Sequence, residues 1–194
     1  MNVLGKYGGF ITVFLEWGGF LTGIALVGLN FHEPVSQLGY YPQTKLLFGA
    51  TFTLASIVYY LFSRNLNKYW QYTSFFSLLA GICLIITGWI PYQPHVQKFV
   101  FDIHNTAILC AFLLYALPMI FIGYKKAHAS IAKYSRIGFL AVTVVGGGSV
   151  VARIVGSPFV LLLQVLAASC LHVWLIAVNR LLLKDYEHPL AKKL

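Results

Sequence analysis

Six apolar runs separated by short polar loops set the limits on this chain: 9–31, 46–62, 72–90, 101–124, 137–152 and 158–183. A helix rising about 1.5 Å per residue needs about 20 residues to cross roughly 30 Å of hydrocarbon. The runs therefore predict an all-α polytopic membrane protein, a six-transmembrane-helix bundle forming one domain over 1–194. The second and fifth runs are short and the sixth is long, so some tilt is expected. Composition points the same way. Only 10% of the residues are charged, 59% are hydrophobic and the mean hydropathy is +0.76. A soluble domain carries roughly 25% charged residues, and this chain has too few to cover a water-facing surface.

The formal charge of +9 invites a nucleic-acid reading until the basic residues are placed. With the N-terminus inside, eleven of the fourteen Lys and Arg fall on the cytoplasmic side: Lys6; Arg64 and Lys68; Lys125, Lys126, Lys133 and Arg136; Arg180, Lys184, Lys192 and Lys193. Lys45, Lys98 and Arg153 fall outside. This asymmetry predicts that both termini are cytoplasmic, with membrane lipids rather than nucleic acid as partners. The expected location is the plasma (inner) membrane of a bacterium. The first thirty residues read as a first span, because their apolar core outruns the 7–15 residues of a signal peptide. Cys83, Cys110 and Cys170 each stand alone in an apolar run, without the paired spacing of a metal or disulfide site.

Close backbone approach drives helix association in lipid, so stripes of small residues mark contact faces. Thr12, Glu16, Gly19 and Gly23 share one face of the first span; Ser74, Ser77, Gly81 and Gly88 share one face of the third. The fifth carries Gly146, Gly147 and Gly148, and all these faces are expected to point inward. Gln164, Ala168, His172 and Asn179 form the inward face of the sixth. Pro118 is expected to kink the fourth span about one turn earlier.

Titratable groups inside spans are costly and are candidates for function. Glu16 and His172 stand at depths that allow an interhelical polar pair. A larger set collects at the outer ends: Glu33, Ser36, Tyr40, His95, Asp102, His104, Asn105, Arg153 and Gln164. Brought together, these would line an outward-facing polar pocket. Arg153 would find its counter-charge in Asp102 or Glu33 and could hold a carboxylate or phosphate bidentately. Ser36, Tyr40, His95, Asn105, Arg153 and Gln164 are the expected ligand-binding groups. His104, with Asp102 or Glu33, is the expected general base if the pocket is catalytic. Haem is disfavoured because His104 and His172 lie at unequal depths. Zinc at His32, His95 and His104 lacks the usual spacing, so neither metal nor cofactor is expected.

Three segments carry a resemblance. Val35-Ser36-Gln37-Leu38-Gly39, the run from Gly81 to Thr87-Gly88-Trp89-Ile90-Pro91, and His104-Asn105-Thr106-Ala107 resemble motifs of the bacterial six-helix membrane family catalogued as domain of unknown function 998. The resemblance implies that Ser36, Gly39, Pro91, His104 and Asn105 act together on the outer face, and it implies no activity. Gln37 and Tyr92-Gln93 stand where that family has acids, which weakens a hydrolase reading. The expected function is binding of a lipid headgroup or small polar ligand. The alternatives are a hydrolase-like membrane enzyme acting on a lipid or amphipathic substrate, and a small-solute or proton-coupled transporter using Glu16 and His172.

Overall fold

A computed structural model of the chain describes residues 3–28, 35–90, 98–124 and 129–187, without the side chains of Arg153 and 185–187. Among the described residues there is no strand. Six α-helices follow in order: α1 (Val3–Val27), α2 (Pro42–Ser63), α3 (Thr73–Trp89), α4 (Lys98–Gly123), α5 (Ala129–Ile154) and α6 (Val160–Glu187). Short 3-10 helices span Val35–Gly39, before α2, and Arg64–Lys68, after it. Five helices are long and apolar enough to cross a membrane, and α3, at 17 residues, is shorter.

Helix ends depart from the apolar runs for local reasons. α5 begins at Ala129 rather than 137, because its first two turns carry Lys133, Tyr134, Ser135 and Arg136, polar residues that still favour helix. α1 ends at Val27, four residues short of its run. Gly28 stops it in the left-handed region, φ 67°, with its N–H donating to the Ile24 carbonyl at 2.8 Å. Gly156 ends α5 in the same conformation. Pro42 sits in the first turn of α2, where its missing N–H leaves no donor unpaired. α4 runs through Pro118 without a break.

Each helix packs on its neighbour in sequence, and α6 returns to α1, so the six close into a ring. The outside of the ring is apolar: Phe14 is 77% exposed and Ile154 79%, and exposed Leu, Ile, Val and Phe occur on every helix. Polar Thr12, Ser56, Thr73, Ser77, His104, His172 and Asn179 are buried instead. Such an inverted surface belongs to a membrane-type fold.

Glycines set the closest approaches. Gly8 of α1 lies under Phe62 of α2, and Gly19 under Thr51. A Cβ at Gly49 would stand 2.8 Å from the Trp89 indole of α3. Gly146, Gly147 and Gly148, expected to face inward, lie on the outer side of α5, where a Cβ at any of the three would meet nothing within 4 Å. Contact between α5 and α6 is made elsewhere, by Gly138 beneath the Trp174 ring, whose Nε1 donates to Ser135 Oγ at 3.0 Å.

Asparagines fasten the end of the ring where the chain begins. Asn65 Nδ2 donates to the Gly5 carbonyl (2.7 Å), and Asn179 Oδ1 accepts from the Gly9 N–H (2.8 Å) while its Nδ2 donates to the Lys6 carbonyl (2.9 Å). These bonds join main-chain groups of α1 to the 3-10 segment after α2 and to α6. Above them, Phe62, Met119, Trp174 and Leu175 are buried in the interior.

Candidate functional site

The other half of the ring is not filled. A cavity of about 90 Å³ extends along the inner faces of α1, α2, α3, α4 and α6. From Gln164 to Leu171, both in its wall, the helical rise is about 10 Å. Phe20, Phe48, Phe52, Leu84, Ile108 and Phe112 make most of the wall. Polar groups stand at the two ends, Ser36, Thr87 and Gln164 at one and Glu16 with Tyr115 at the other.

The first end is closed by the 3-10 segment Val35–Gly39, which turns into the ring. Leu38 is fully buried against Gly23, and its carbonyl accepts from Thr44 Oγ1 at 2.5 Å. The Val35 N–H donates to Gln164 Oε1 at 3.0 Å, so α6 holds the segment as well. Val35 and Ser36 thereby become part of the cavity wall.

At the deep end, His172 Nε2 lies 2.5 Å from Glu16 Oε2. The pair is enclosed, with side-chain exposures of 3% and 10%. Glu16 falls about 20 Å from the start of α1 and roughly 17 Å from its end, close to the middle of the helix. Among the described residues Oε1 of Glu16 and Nδ1 of His172 have no hydrogen-bond partner. The Trp17 ring packs edge-on to the imidazole at 6.0 Å. Tyr59 and Tyr115, whose rings meet at 4.8 Å, are close enough to feel the Glu16 charge.

The expected outer pocket is distributed differently. His104 is fully buried, with Nδ1 2.6 Å from the Ile90 carbonyl that ends α3, and it does not line the cavity. Asp102 is half-exposed and paired with Lys98 at 2.7 Å. The two stand two residues apart on α4, which turns them roughly 200° from each other. His104 and Asp102, expected as general base and partner, therefore do not meet: one side chain bonds to the end of α3, and the other makes a surface ion pair. Tyr40 is half-exposed beside Tyr41, and Asn105 lies outside the cavity. Ser36, Gln164 and Glu16 are the expected residues that the cavity brings together. Glu33, His32 and His95, and the side chain of Arg153, lie outside the described residues. Among the described residues no three His, Cys, Asp or Glu side chains converge.

The aromatic walls escaped the sequence reading, because Phe20, Phe48, Phe52 and Phe112 look like any lipid-facing Phe. The one available signal was spacing. Phe20 follows Glu16 by four residues, and Phe48 precedes Phe52 by four, so each pair shares a helix face. Compared with known proteins, the chain matches no family model, no curated protein and no solved structure.

Proposed function

We propose that this protein is a membrane-embedded binding protein whose ring holds one amphipathic, lipid-like ligand. The observation that carries this reading is the half-filled ring, apolar along its walls and polar at both ends. Pockets that take organic ligands share this design of apolar lining with a few fixed polar groups. An engineered apolar cavity of 150 Å³ holds a benzene ring; the space here, about 90 Å³, is smaller, so it seats a short apolar group of an amphiphile rather than a whole acyl chain. Six spans support the same picture. α3, at 17 residues, meets the lower length limit for crossing, and it completes the ring between α2 and α4. Both termini then lie in the cytoplasm, and the cavity opens towards the outer leaflet of a bacterial plasma membrane. Kinship with the family of unknown function 998 is part of the proposal and rests on the three short motifs alone.

The test fills the cavity. Ala168 lines the wall and is small; Ala168→Phe projects a ring into the space. Native mass spectrometry of the wild-type chain, released from non-ionic detergent, is expected to show a one-to-one lipid-like adduct that Ala168→Phe lacks. The same adduct on both proteins, or none on either, overturns the proposal.

A further inference from the structure

The chemistry at the deep end specifies the ligand more closely. Glu16 is a carboxylate that reaches an apolar space, with Oε2 taken by His172 and Oε1 bonded to nothing among the described residues. Five aromatic rings line the same space, those of Phe20, Phe48, Phe52, Phe112 and Tyr115. Ring faces attract cations, more strongly when water is excluded. Acceptor and rings together favour positive charge at the bottom of the cavity.

The site must remain near electroneutrality, because an isolated charge in low dielectric is costly. When empty, Glu16 and His172 together carry net zero charge only if they hold two protons between them. This is so for carboxylate with imidazolium and for carboxyl with imidazole accepting at Nε2. In both forms Nδ1 bears a proton, and Nδ1 has no acceptor among the described residues. Among the described residues, the remaining titratable groups around the pair are Tyr59 from α2 and Tyr115 from α4, with Cys83 of α3 beside Tyr115. The 3-10 segment brings only Val35 and Ser36, and α5 makes no ion pair with Glu16 or His172 among the described residues. None of these can replace the missing charge.

We propose that the cavity takes a monocationic amphiphile, its cationic end seated against Glu16, in exchange for one proton from the Glu16–His172 pair. The balance is complete. The cation enters, the Nδ1 proton leaves to water, and a carboxylate accepting from the Nε2–H of a neutral imidazole remains. Site charge is zero before and after. The sign follows. Because binding releases a proton, raising the pH favours the bound state by mass action.

This inference rests on the ligand-binding reading above, and the experiment separates the two. Choline and its neutral isostere 3,3-dimethylbutan-1-ol, both small enough for the cavity, are titrated into the full chain in non-ionic detergent by calorimetry. The cation keeps its charge at every pH, so any pH dependence belongs to the protein. The expected result is at least tenfold tighter binding of the cation. Comparing two buffers of different ionisation enthalpy should give about one proton released per ligand. Glu16→Gln should weaken the cation at least tenfold. The wild-type proton count decides the matter even if that variant fails to fold. Equal binding of both probes, or cation binding without proton release, overturns this inference and leaves the binding function standing. Binding of neither probe overturns both.

Discussion

Asn179 shows how a single side chain holds a seam in this protein. It is fully buried, accepting from the Gly9 N–H and donating to the Lys6 carbonyl. Removing it deletes two hydrogen bonds to main-chain groups of α1, each contributing about 0.5–1.5 kcal/mol net. Asn179→Ala should lower stability by about that amount, read as a reduced Tm of the detergent-solubilised chain. Gly147 offers the contrast. A Cβ placed there would meet nothing within 4 Å, so Gly147→Leu should change stability by less than about 0.5 kcal/mol in the same measurement. Legibility at this scale followed the chemistry. Glu16 and His172 are rare titratable groups at matching depth, and that depth can be counted from the sequence. His104 is not readable in that way, because its partner is the Ile90 carbonyl and a main-chain acceptor leaves no mark in a sequence. The glycines of α5 misled for a related reason: small residues permit close approach without requiring it.

Among the elements, the 3-10 segment Val35–Gly39 has the most to do with access. It carries no apolar run of its own and is held by borrowed groups, the Gln164 amide oxygen at one end and the Thr44 hydroxyl at the other. Thr44→Val keeps the shape and removes the donor. The variant should show at least a several-fold rise in amide hydrogen exchange over 35–39, with the α1 and α2 cores unchanged. Unchanged exchange would mean that Leu38 packing alone keeps the segment in place. Helix existence was readable from hydropathy, while helix ends were not. α5 gains eight residues before 137 because a polar turn remains helical where hydropathy falls. α1 loses four because one glycine's φ outweighs apolar character.

At the scale of the whole molecule, closure of the ring and the cavity it encloses come from pairings far apart in sequence. The apolar runs carry a helix count and a charge asymmetry, but they hold nothing about which helices meet. That is why a cavity reaching half-way down the ring could not be read from the runs alone. Orientation makes its own prediction. In a chain whose native cysteines are replaced, Gln93→Cys should react with a membrane-impermeant maleimide on intact cells. Leu194→Cys should react only after lysis. The opposite pattern would invert the cavity to face the cytoplasm.

The Glu16–His172 contact joins residues 156 positions apart. Ribosomes add about 5–20 residues per second, so the first helix waits roughly 8–30 s for its partner. During that wait the carboxyl must stay protonated or remain with the insertion machinery, since a bare anion has no stable place in hydrocarbon. α6 therefore supplies more than a wall: its arrival gives the Glu16 carboxylate its partner. A message truncated before His172 would yield a chain that displays an unmatched acid, a mark by which membrane proteases can recognise unfinished work.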